Sequence, residues 1–186
     1  FSMECIDQSL SGNVALNNSV TATIARNGDL ISRMYYEVNA GARDANNDNN
    51  YGTQLLSSVE LEIGGQRIDR HSGHWMETWF QLTQENPTGL RSQFTANMLN
   101  AANGGTLTKF QKMACAGGVQ GQAQDPGMIW VPLQFWFCRN PGLALPLIAL
   151  QYHEVKVILN HVYLDSTRFN SSNTFTNKLF CDYIYL

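Results

Sequence analysis

The run Leu55–Ile63 (LLSSVELEI) sets Val59, Leu61 and Ile63 on one side of an extended chain and Glu60 and Glu62 on the other. A period of two fits a half-buried strand and cannot line one face of a helix. Gly64-Gly65 follows at once, and Gln66–His71 alternates again, with Arg67, Asp69 and His71 set against Ile68. A two-glycine turn between alternating runs predicts a tight hairpin whose left-handed turn residues fix strand register. A chain built on such a unit must bury one face of a sheet against a second layer.

Similar runs flank this hairpin. Glu4–Leu10 and Val20–Ala25 mix β-branched with small polar residues, Asn27-Gly28-Asp29 marks a tight turn, and Leu30–Val38 returns as a Tyr-, Ile- and Val-rich strand. Asn27-Gly28 thus predicts a second hairpin, again with left-handed turn residues. Downstream, Ile129–Cys138 (IWVPLQFWFC) predicts a dense aromatic strand with Pro132 near its start, where a strand tolerates proline. Leu147–Asn160 and Phe175–Leu186 predict two more strands. The period changes at Gly73–Gln84, where Trp75, Trp79 and Leu82 fall at i, i+4 and i+7 with Met76 and Phe80 alongside, which predicts a short amphipathic helix. Arg91–Ala102 predicts a second helix through Phe94, Met98 and Leu99, and Asn39–Thr53 and Asn103–Gly127 predict long loops. No repeat of 20 to 50 residues is present. Seven or eight short strands with helices confined to insertions make an all-β antiparallel sandwich, one domain over residues 1–186, with jelly-roll topology leading other Greek-key arrangements.

Charge narrows the function classes. Charged residues make up 15% of the 186, against roughly 25% in a typical soluble domain. The net charge is −3 without a basic block, which leaves no electrostatic footprint for nucleic acid. A surface so poor in charge points to cover by neighbouring molecules. The apolar stretch Leu143–Leu150 is interrupted by Pro146 and falls far short of the ~20 residues of a membrane span. Phe1-Ser2-Met3-Glu4 carries neither an initiator Met nor signal-peptide character, and both ends fall inside alternating patterns, so a segment of something longer is expected.

No pattern of catalytic or ligand-binding chemistry stands out. His71-Ser72-Gly73-His74 places two imidazoles three apart but straddles a strand-to-helix boundary, which favours surface or capping histidines over a metal pair. His153-Glu154 lies on a predicted strand, where neighbours point to opposite faces and cannot cooperate. Cys138 beside Arg139 follows Phe135-Trp136-Phe137, which favours a packed thiol over an activated one. Cys5, Cys115, Cys138 and Cys181 have no C-x-x-C spacing and read as free, buried, reduced thiols of a protein made in the cytosol rather than as a disulfide pair. There is no nucleophile elbow, P-loop or dinucleotide fingerprint, so no catalytic residue, cofactor or metal is expected. Asn17 and Asn170 sit in N-x-S/T acceptor sequences, although a chain with 18 Asn produces such matches by chance.

Three segments taken together carry a resemblance. Arg26–Ile31 (RNGDLI), Val59–Asp69 (VELEIGGQRID) and above all Phe135–Lys156 (FWFCRNPGLALPLIALQYHEVK) resemble the major capsid protein of nucleocytoplasmic large DNA viruses, the group of iridoviruses, phycodnaviruses and mimiviruses. Order and spacing match the N-terminal half of that family, and Cys181–Leu186 resembles the strand that ends its first jelly roll. The resemblance implies the first barrel of a double jelly roll, three copies of which form a pseudo-hexagonal capsomer in an icosahedral shell over an internal membrane. It implies a virion protein synthesised in host cytoplasm, with itself, neighbouring capsomers and minor capsid and penton proteins as partners.

Within that reading, Asn27, Gly28, Gly64 and Gly65 are structural turns. Arg139, Asn140, Pro141, Gly142, Leu143, Leu145 and Pro146 form a rigid, non-helical apolar segment expected to pack under a second barrel or a neighbouring subunit. The competing class is a jelly-roll carbohydrate-binding module, which would expose Tyr35, Tyr36, Trp130 and Trp136 on one concave face. A cupin-type enzyme stands third, since four scattered His make a poor metal set.

Overall fold

A computed structural model describes residues 1–12, 18–39, 50–83, 109–114, 116, 128–162 and 176–186. Its strands are β1 (Ser2–Gln8), β2 (Leu10–Ser11), β3 (Ser19–Thr23), β4 (Leu30–Asn39), β5 (Leu56–Ile63), β6 (Gln66–His71), β7 (Met128–Pro132), β8 (Leu145–Pro146), β9 (Val155–His161) and β10 (Thr176–Tyr185). Helical segments are α1 (Tyr51–Gln54), α2 (Gly73–Thr83), α3 (Lys109–Ala114) and α4 (Trp136–Arg139), with 3₁₀ turns at Pro141–Leu143 and Leu147–Leu150.

Two sheets form. One runs β1-β10-β4-β7 with β8 on β4, and the other runs β2-β3-β9-β5-β6. Apart from the two-residue β2 and β8, the strands pair first with last (β1 with β10), second with seventh (β3 with β9), third with sixth (β4 with β7) and fourth with fifth (β5 with β6), all antiparallel. That nesting is one long antiparallel ribbon rolled on itself, and the rolling adds the β10–β4 and β9–β5 pairs. It is the jelly-roll sandwich expected from the sequence. Ile31, Met34, Tyr36, Val38, Leu179, Cys181 and Tyr183 of the first sheet meet Val20, Ala22, Val59, Leu61, Val157 and Leu159 of the second in one buried core.

The β5–β6 hairpin turns through Gly64 (φ +59°) and Gly65 (φ +81°), with Ile63 paired to Gln66. The hairpin expected at Asn27-Gly28 does not form. β3 belongs to one sheet and β4 to the other, and the link between them crosses the sandwich. Ile24 N–H still donates to Val155 O on the first side, and Asp29 N–H already donates to Ile184 O on the second. Gly28 is not in the left-handed region. Its lack of a side chain serves close approach, because a Cβ there would stand 3.0 Å from Tyr183 Cβ and 3.3 Å from Ile184 O.

Other expectations are corrected too. The strand over Ile129–Cys138 ends at Pro132, which has no N–H for the ladder, and Trp136–Arg139 winds into α4. Phe135 and Phe137 are buried either way, so their hydrophobicity does not distinguish strand from turn. Leu147–Asn160 is a strand only from Val155, with a 3₁₀ turn before it. His153 and Glu154 therefore lie ahead of β9, both exposed, and the opposite-face argument does not apply to them. On α2, Met76 is fully buried while Trp75 and Leu82 are 38% and 74% exposed, so the aromatic stripe is not the buried face. Parts of the two expected loops are helical, at α1 and α3. The expected helix at 91–102, together with Cys115, Asn17 and Asn170, lies outside the described residues.

Candidate assembly surface

The segment after α4 is held by local bonds. Asn140 caps the 3₁₀ turn, its Oδ1 accepting from Gly142 N–H at 2.9 Å, and Leu143 and Ala144 donate to Asn140 O and Pro141 O at 2.9 and 3.2 Å. Leu145 and Pro146 then pair with Ile31 and Leu30, and Ile148 N–H donates to Asp29 O. Pro141 and Pro146 fix φ at two points of this path. The leucines of this stretch are divided by it. Leu145 and Leu147 enter the chain's own core, whereas Leu143 (54%) and Ile148 (56%) face outward. Ile148 falls inside the strand predicted over Leu147–Asn160, and the signal against a strand there is Pro146, which fixes the backbone two residues before it.

Arg139 closes the start of the segment. Its Nη2 donates to Gln134 O at 3.0 Å, and its guanidinium carbon lies 4.3 Å from the Trp79 ring centre and 5.9 Å from that of Trp75. This cation–π contact explains how two tryptophans can stand on the outer side of α2. Burial pushes the pKa of Cys138 beside it up to about 12, which keeps the thiol protonated at neutral pH. His71 is buried against the edge of the Phe135 ring, while His74 is exposed, so the two imidazoles do not converge. Among the described residues no cluster of His, Cys, Asp or Glu could hold a metal.

The sheet edges differ in their protection. β6, at one edge, carries Arg67, Asp69 and Arg70, and the first and last of these reach Glu60 on β5 at 3.6 and 3.3 Å. Charge on an edge strand blunts unwanted strand addition. β7 ends in proline, and Trp130 Nε1–H donates to Glu37 Oε2 at 2.7 Å. β1 is different: residues Ser2–Cys5 and Asp7 are exposed, Met3 by 56%, and the Cys5 thiol is therefore not the buried one expected, because it lies on an edge strand with no layer over it. Among the described residues β1 is thus an edge strand exposed on both faces over Ser2–Cys5.

The aromatics of the carbohydrate-binding reading do not share a concave face. Tyr36 is fully buried, Tyr35 and Trp136 are half-buried, and Trp130 is tied to Glu37.

The family model for the N-terminal part of the major capsid protein matches residues 1–186. The chain belongs to the major capsid protein family. It is 44% identical over 181 residues to the major capsid protein of Phaeocystis pouchetii virus, covering 86% of this chain and 34% of that one. With the major capsid protein of Pyramimonas orientalis virus the identity is 40% over 195 residues, covering 100% and 44%. Among solved structures, a quasi-atomic model of the PBCV-1 virus capsid superposes with TM-score 0.72 at 34% identity, covering 100% of this chain and 42% of that one. The Faustovirus major capsid protein, at TM-score 0.60 and 13% identity, shares the fold. This capsid-family chain spans between about a third and just under half the length of these curated relatives.

Proposed function

We propose that this chain is the first jelly roll of a structural major capsid protein and that it works by assembly, with no catalytic step. The observation that carries the reading is the family match along all of residues 1–186, on a chain whose strands nest as a rolled ribbon. The place of action is the virion shell. A second barrel completes the subunit, and three subunits form a pseudo-hexagonal capsomer that meets its neighbours, the minor capsid and penton proteins and, on the inner side, a membrane.

Physical features support this reading. Met3, Leu143 and Ile148 form exposed apolar positions on hydrogen-bonded backbone, and apolar area removed from water drives association at ~25 cal/mol per Å². Few charges need desolvation when such a surface is covered. Sedimentation equilibrium on the purified full-length protein tests the proposal: three times the subunit mass is expected at micromolar concentration, and a monomer across the whole range would refute it.

A further inference from the structure

A cavity of about 590 Å³ opens between β4, the end of β7, α4 and the helices α2 and α3. Its walls include Tyr35, Trp79, Phe80 and Phe110, the last two stacked with ring centres 3.4 Å apart. Arg33, Lys109 and Arg139 also line it, and among the described residues no Asp or Glu does.

The distribution of cations makes this cavity unusual. Eight Arg and Lys side chains are described. Arg67, Arg70, Lys156 and Lys178 pair with carboxylates, and Arg26 donates to the Leu150 and His153 carbonyls. The remaining three, Arg33, Lys109 and Arg139, all line this one cavity, and among the described residues none is in an ion pair. Asp182 stands opposite Arg33 in register, but the two form no ion pair and Asp182 does not line the cavity. Arg139 is spread over Trp79 with one nitrogen on a carbonyl. Cations outside any described ion pair, beside flat apolar walls, attract a ligand with complementary features, and a pocket of about 300 to 1,000 Å³ is the usual size for a small molecule. Guanidinium groups match a carboxylate in charge and in planar shape.

We infer that this cavity is a binding site for a small aromatic carboxylate, its ring stacked between the aromatic walls and its anionic group held by Arg33, Lys109 and Arg139. The site is separate from the exposed apolar positions of the assembly surface, and its occupancy does not depend on whether the capsid reading holds.

The test uses 3-(2-naphthyl)propionate and its uncharged alcohol analogue, titrated calorimetrically into the purified full-length protein. The acid binds saturably below about 1 mM, the alcohol at least tenfold more weakly, and added salt weakens only the acid. Arg33→Gln and Lys109→Gln each weaken the acid about fivefold, whereas Lys109→Arg keeps most of the affinity. Both side chains are exposed, so the thermal midpoint stays unchanged and a folding defect is separable from a binding defect. Equal affinity for acid and alcohol, variants that bind like the parent, or no saturable binding would each overturn the inference.

Discussion

Tyr36 on β4 and His161 at the end of β9 are hydrogen-bonded across the buried interior, Oη to Nε2 at 2.7 Å, so that one bond joins the two sheets. His161 Nδ1 lies 3.1 Å from Asn18 O, which only accepts, so Nδ1 carries the proton and Nε2 accepts from the tyrosine hydroxyl. Asn177 Nδ2 donates to the same hydroxyl at 3.2 Å. Burial lowers the pKa of His161, which keeps the neutral ring this arrangement needs.

Tyr36→Phe removes the donor to Nε2 and the acceptor of Asn177 while keeping the ring. The expected cost is about 1–3 kcal/mol, the penalty for leaving buried polar groups unpaired. Urea unfolding of the variant beside the parent measures it. A loss below ~0.5 kcal/mol would show that the inter-sheet bond contributes little.

His71 gives the fold an acid limit. Its Nε2 accepts from Gln134 N–H at 3.2 Å, and burial first, then the Arg139 charge, lowers its pKa from 6.5 to about 4. Asp69 and Arg70 line the same small cavity as His71 and Arg139. Because the folded pKa lies below the unfolded one, the unfolded chain binds the extra proton between them. The contribution is intact above pH 6.5, declines as the pH falls, and levels off below about 4. The loss is on the order of 3 kcal/mol. Unfolding midpoints at pH 7, 5 and 4 should fall in that order for the parent, and His71→Gln should flatten the decline. An equal decline in both would assign the acid sensitivity elsewhere.

Two glycines test different constraints. At Gly73, the start of α2, a Cβ would run into the carbonyl oxygens of Thr53 and Leu56. Gly73→Ala should cost about 1–3 kcal/mol through displaced backbone. At Gly65 a Cβ meets nothing within 4 Å, but φ is +81°. Gly65→Ala should cost about 1 kcal/mol from conformation alone, and Gly65→Asn less, since Asn tolerates that region. Similar costs for Ala and Asn at position 65 would contradict a purely conformational origin.

The parts of the fold legible in the sequence are those whose partners are close along the chain. Ile63 and Gln66 meet across two residues, and Gly64-Gly65 states the turn directly. Ser2 and Tyr185 are paired from opposite ends of the chain, and no local pattern announces that. Asn27-Gly28 does not discriminate, because the same residue types serve a crossing between sheets as serve a hairpin. Phe135 and Phe137 leave α4 unannounced, because an aromatic side chain is buried equally well from a strand or from a helical turn. Trp75 and Trp79 set the helical period but not its inward face, since Arg139, far along the chain, covers them from outside. The capsid family was legible from the long motif around Arg139–Pro146, whereas the cavity was not, because Arg33, Lys109 and Arg139 converge only after folding.

Leu143 and Ile148 separate assembly from stability. Both are more than half exposed. Leu143→Glu and Ile148→Glu should leave the unfolding free energy within about 0.5 kcal/mol while weakening self-association. Sedimentation velocity and urea unfolding on the same samples read the two effects. A variant that associates like the parent would remove that residue from the assembly surface.

Electron microscopy of the purified full-length protein tests the capsid account most directly. Class averages should show discrete particles with threefold symmetry and a six-cornered outline, with the jelly roll of residues 1–186 fitting one of two barrels in each subunit. Single-barrel monomers, with no threefold particles at any concentration, would contradict it.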